Sequence, residues 1–153
     1  MPPYESYELE TQYLRIGANY SRLHFWDVLV FQTREELERY YEEYKNQYYL
    51  CYEEDGKEIS KLLPYCEEYD DEFFAKNDLF LVLVYEGSGT PRKEITEIWQ
   101  DETGTWNLKI HDITSGMGTA DAAYWHLFAA VPGKNYEEGQ ECQIYVETIS
   151  KRD

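Results

Sequence analysis

The side chains with the most reactive chemistry are three cysteines, Cys51, Cys66 and Cys142, and three histidines, His24, His111 and His126. A catalytic thiol needs a cation or base beside it to hold the thiolate, and none of the three sits in a local signature of that kind. Glu86-Gly87-Ser88-Gly89 looks like part of a nucleophile elbow, but the first glycine of G-x-S-x-G is missing and no helix is expected to follow. It reads as a glycine turn between strands. The histidines stand in neither H-E-x-x-H nor C-x-x-C company, so no zinc site is expected. Asp70-Asp71-Glu72 lacks the alternating register of a calcium loop and reads as a solvated acidic face. Gly116-Met117-Gly118 offers G-x-G, yet Asp121 stands where the third glycine would be, so no dinucleotide cradle is expected. His126, inside Tyr124-Trp125-His126-Leu127-Phe128, is expected as a hydrogen-bonded histidine on an aromatic strand. The motifs call for no catalytic residue, no cofactor and no metal.

The elements that would position these groups are readable from periodicity. Residues 7–16 and 25–31 read as strands, the second rich in aromatic and β-branched residues. Thr33-Arg34-Glu35-Glu36 matches a capping box, and Leu37, Tyr40, Tyr41, Tyr44 and Tyr48 recur at helical spacing, which predicts a helix over about 34–46. A short helical turn is predicted over about 71–76, with acids at its start to suit the helix dipole. Leu79 to Tyr85 is apolar at successive positions, the pattern of a strand covered on both faces. Four more strands follow, over 92–100, 106–111, 122–131 and 141–149. The second carries Trp106, Leu108 and Ile110 on one face, and the last Cys142, Ile144 and Val146. The slip from alternation around Ile95 and Ile98 predicts a bulge. The expected fold is α+β: a curved antiparallel sheet or sandwich of about seven strands, with consecutive strands as neighbours and helices against one side. Residues 1–153 form a single domain in this reading.

Composition narrows the partners. The 153 residues carry 31 acids against 14 bases, a formal charge of -17. A chain so short of Lys and Arg cannot replace the counterions of duplex nucleic acid, so no nucleic acid is expected. No apolar run approaches the roughly 20 residues of a membrane span. Between Glu35 and Glu72 fourteen acids face four bases, and twelve of the 16 tyrosines precede Asp70. Tyrosine combines contact area with stiffness and a polar tip. Tyr44 and Tyr48 are therefore candidates for contact with a partner bearing a basic face. Three cysteines are too few for a disulfide scaffold; Cys51 and Cys66 either close a short loop or stay as free thiols. Met1-Pro2-Pro3-Tyr4-Glu5 has no export character, which fits either a cytoplasmic chain or one whose export segment has been removed.

From about Tyr69 to Lys134 the chain resembles the C-terminal domain of the protease complex subunit PrcB family. The resemblance rests on Tyr69-Asp70-Asp71-Glu72-Phe73-Phe74 leading into the strand Leu79 to Tyr85, and on the strand Lys93-Glu94-Ile95-Thr96-Glu97-Ile98. It continues through the loop Thr114-Ser115-Gly116-Met117-Gly118 and an aromatic strand ending Ala130-Val131-Pro132-Gly133-Lys134. Where family members carry a T-G-G-Y type turn, this chain reads Gly89-Thr90-Pro91-Arg92-Lys93. The resemblance implies a non-enzymatic module, often exported or in the cell envelope, that associates with or stabilises a protease on a small β fold. Two glycine loops, one with Ser88, Thr90 and Arg92 and the other with Ser115, Met117 and Thr119, then become binding candidates, because loops on a rigid sheet carry recognition. The alternative from another class is an acidic cytoplasmic DNA mimic or inhibitor; a small hydrolase is the third.

Overall fold

The structure is a computed structural model and describes residues 9–16, 27–86, 92–114 and 123–150. Nine strands and two helices occur among them. A four-stranded sheet is built from β1 (Glu10–Ile16), β8 (Ala123–Pro132), β5 (Asn77–Glu86) and β2 (Val28–Phe31), in that order and antiparallel throughout. A three-stranded sheet is ordered β6 (Arg92–Gln100), β7 (Trp106–Thr114), β9 (Cys142–Ser150). The hairpin β3 (Cys51–Glu54) and β4 (Lys57–Ser60) stands apart. Helix α1 spans Arg34–Tyr44 and α2 spans Asp71–Phe74.

The four-stranded sheet is the middle of three layers, and β5 shows why. Leu79, Leu81 and Leu83 point to one side, where they meet Leu37, Tyr40, Tyr41, Tyr48, Leu50 and Leu62 from α1 and the segment after it. Phe80, Val82 and Val84 point to the other side, onto Ile95, Ile98, Trp106, Leu108 and Ile110 of the three-stranded sheet. A strand read as covered on both faces is covered on both. Trp106, Leu108 and Ile110 of β7 share one fully buried face as expected, and Asn107 on the opposite face is buried as well. The expected bulge is present in β6, where the pairing with β7 shifts between Ile95 and Glu97.

The α1 start follows its capping signal with one variation. The Glu36 amide donates to Thr33 Oγ1 at 3.1 Å, and the Glu36 carboxylate accepts from the amide of Gln32, one residue before the cap, at 2.9 Å. Asp70 caps α2 in the same manner through the Phe73 amide.

Three expectations need correction. Consecutive strands are not generally neighbours: only β3–β4 and β6–β7 pair as hairpins, because β5, β7 and β8 alternate between the two sheets. The pairing is not all antiparallel either. β9 lies parallel to β7, since the chain crosses to the other sheet as β8 before returning. The strand count exceeds seven by the β3–β4 hairpin, whose turn is Asp55-Gly56 with φ of 52° and 76°. Two successive residues at positive φ make the tight turn that matches strand twist, and Asp-Gly is its standard sequence.

Candidate functional site

His126 is fully buried mid-strand, with Nε2 2.6 Å from the Tyr40 hydroxyl. Burial pushes its imidazole down to about 3, so it is neutral at physiological pH. Tyr48 meets it edge-on at 5.4 Å between ring centroids, and Tyr44 lies between Tyr40 and Tyr48. The helical spacing that singled out these tyrosines is thus the inner face of α1 and of the turn after it. Tyr48 has no exposed surface, which corrects its reading as a contact residue: it is core. Tyr44 is half-buried and lines a shallow groove with Leu29, Arg39 and Glu43.

The cysteines are free. Burial pushes the Cys66 thiol up to about 12 and the Cys142 thiol up to about 11, so both are protonated at neutral pH. On the outer face of the three-stranded sheet, the Lys109 ammonium lies 3.0 Å from Glu147 and 3.5 Å from Glu97. Its hydrogen bond to Glu147 holds that carboxyl below the usual range. His111 sits 3.8 Å from the same carboxylate. Trp99 stacks on Tyr145 beside them, with planes 16° apart.

The loop candidates Ser88, Thr90, Ser115, Met117 and Thr119 lie outside the described residues. Arg92 is the first residue of β6, opposite Ile113. The strand ends that carry the two loops do share one end of the sandwich: Glu86 pairs with Ala123 in one sheet, and Arg92 with Ile113 in the other.

A broad cleft lies elsewhere, between β1 and the turn 64–69. It encloses about 740 Å³ and is lined by Glu10, Thr11, Gln12, Pro64, Tyr65, Glu67, Glu68 and Tyr69. Its wall is built by local hydrogen bonds. Ser60 Oγ accepts from the amides of Leu62 and Leu63, starting the turn, and Leu62 and Cys66 anchor it in the core. Arg34 Nη1 donates to the carbonyls of Cys66 and Tyr69 at 2.7 and 3.1 Å, fixing the turn to α1. Gln12 Nε2 donates to the Tyr69 hydroxyl at 2.7 Å and closes the floor. The rim then presents three carboxylates, Glu10, Glu67 and Glu68, and the exposed ring of Tyr65, with no basic side chain among the described lining residues. Such a surface suits a cationic side chain with an aliphatic stem, which could lie along the tyrosine while its charge meets carboxylate.

Sequence reasoning placed acid and tyrosine in this region; of the tyrosines it singled out, Tyr48 is core and Tyr44 is half-buried in another groove, while Tyr65 was not named. Tyr65 follows Pro64 outside any periodic run, and that position was the available signal.

Among the described residues no group of His, Cys, Asp or Glu could hold a metal ion, and no helix is long and apolar enough to cross a membrane. No family model, no curated protein and no solved structure matches the chain.

Proposed function

We propose that this chain is a non-enzymatic protein-binding module that takes a basic segment of its partner in the cleft between β1 and the turn 64–69. The observation that carries this reading is the cleft itself: three carboxylates and an exposed tyrosine around an open hollow, with no basic side chain among the described lining residues and the Arg34 guanidinium engaged by the carbonyls of Cys66 and Tyr69 behind the wall. The -17 charge of the whole chain adds long-range attraction for a basic partner and speeds encounter at low salt. The resemblance to the PrcB family points to a protease as that partner, held or modulated in the envelope or outside the cell.

The test is affinity capture from a native extract with wild-type chain, followed by titration of the captured protein against Glu67→Lys/Glu68→Lys and against Tyr65→Ala. The charge reversal should weaken binding at least tenfold, and wild-type binding should weaken steadily with added salt. Equal binding by both variants, or affinity indifferent to salt, would exclude the cleft. Displacement of the partner by duplex DNA would favour the DNA-mimic class instead.

A further inference from the structure

Edge strands expose unpaired backbone groups, and proteins blunt them with Lys, Pro, bulges or short length. Most edges here are blunted. β2 is four residues long, β3 and β4 are four each, β1 contains Arg15, and β6 contains Lys93 and the bulge. β9 is different. It runs nine residues without Lys, Arg, Pro or bulge, its one charged residue, Glu147, is tied to Lys109 of β7, and among the described residues it pairs only with β7. Tyr145 and Val146, on its opposite faces, are each 48% exposed.

The backbone register tells which groups face the open edge. Trp106 is opposite Cys142, and its amide donates to the Glu141 carbonyl at 2.8 Å. In a parallel ladder a residue bonds the two neighbours of its partner, so Glu141, Gln143, Tyr145 and Glu147 turn their N–H and C=O groups toward β7. Ile144 and Val146 turn theirs outward.

The sequence along that edge is its own complement. Gln143-Ile144-Tyr145-Val146-Glu147 reads nearly alike in both directions about Tyr145. We propose that β9 pairs antiparallel with β9 of a second copy across a two-fold axis at Tyr145, joining two three-stranded sheets into one of six. In that register Ile144 faces the second copy's Val146, and these outward-facing residues form the hydrogen-bonded pairs. The two Tyr145 side chains form the central non-hydrogen-bonded pair, where side chains come closest. Gln143 faces Glu147 of the other copy. The Gln143 side-chain Oε1 already accepts from the Tyr145 hydroxyl at 2.9 Å, which leaves the side-chain Nε2 hydrogens to donate to the carboxylate. No like charges meet directly. Shifting the axis by one residue to Val146 would set each Tyr145 against Glu147 and lose both the aromatic and the amide–carboxylate pairs.

This contact is independent of the cleft, and its salt dependence has the opposite sign. Two chains of charge -17 repel, so added salt should tighten the dimer while it loosens binding of a basic partner. The experiment is sedimentation equilibrium of the full chain over a concentration series at low and high salt. Wild type should rise from 18.3 kDa toward twice that mass, at lower concentration when salt is high. Val146→Pro removes an outward N–H without touching the β7 ladder and should stay monomeric; Val146→Lys, which keeps the backbone, should do the same. In a background with Cys51 and Cys142 changed to Ser, Tyr145→Cys should oxidise to a cross-linked dimer, and Gln143→Cys should not. A wild type monomeric throughout the series, a Val146→Lys variant that dimerises as wild type does, or equal cross-linking by both cysteine variants would overturn the proposal. Charge reversal at Glu67 and Glu68 should leave the dimer intact.

Discussion

Replacing His126 with Phe should flatten the acid side of the stability profile. The imidazole is fully buried against Tyr40 and Tyr48, and burial holds it down to about 3 against an ordinary value of 6.5. Between those values the unfolded chain takes up a proton that the folded chain refuses, so stability falls as pH falls. At full extent this one residue accounts for about 5 kcal/mol, at about 1.4 kcal/mol for each unit between the two values. From pH 7 to pH 5 its share is about 2 kcal/mol. The carboxylates Glu58 and Glu147, each hydrogen-bonded to a lysine, and Asp101, hydrogen-bonded by Thr103 and Asn107, are all held below their usual range and add losses of the same sign only at lower pH. The assay is urea unfolding at several pH values for wild type, His126→Phe and the double variant Tyr40→Phe/His126→Phe. The single variant leaves the Tyr40 hydroxyl unpaired in the core and should cost about 1–3 kcal/mol at neutral pH. The double variant should recover part of that. Both should lose the wild-type slope of about 1 kcal/mol per pH unit between pH 6 and pH 5. A slope unchanged in both would show that His126 is not neutral in the folded core.

Lys134→Met should cost about 2 kcal/mol in urea unfolding, because it removes the cation 3.1 Å from the Asp78 carboxylate, which is 1% exposed and is left with neutral donors from Gln32 and Tyr136. Asp78→Asn should cost less, since Lys134 is 31% exposed and can turn to water while the amide oxygen still accepts from Tyr136. Thr33→Ala removes the side chain that accepts from the Glu36 amide and should lower stability by about 1 kcal/mol, read in the same way. Cys66, with its thiol pushed up to about 12, should resist alkylation in the native chain and react only after unfolding.

The fold was legible wherever one physical signal dominated. The Thr33 cap and the spacing of Leu37, Tyr40 and Tyr41 specify α1, since a cap and an apolar stripe act locally. Leu79 to Val84 announces a strand buried on both faces because no polar residue interrupts it. What failed was long-range. Nothing local in Trp106–Thr114 or Cys142–Ser150 reveals that these strands lie side by side and parallel, because that pairing is decided by where β8 goes between them. The missed hairpin is another matter: Asp55-Gly56 is a local turn signal, but the flanking runs Cys51–Glu54 and Lys57–Ser60 are short and mostly polar and carry little strand pattern.

Tyrosine misled for a reason that bears on the site. Its ring and its hydroxyl make it equally fit for a core with a polar partner and for a contact surface. Tyr40 resolves to core through His126, and Tyr48 through full burial, while Tyr65 stays on the rim of the acidic cleft. Composition alone could not sort them, because the sorting depends on which tyrosines β8 and β1 cover. The same dependence separates the two proposed contacts. The cleft draws on charge, which acts over a Debye length of about 10 Å and weakens with salt. The β9 edge draws on backbone pairing and on Tyr145, Ile144 and Val146, which salt strengthens by screening the repulsion of two acidic chains. In the two proposals together, one protein holds a basic partner and a copy of itself through surfaces that respond in opposite directions to the same variable. A salt series on the wild type alone separates them.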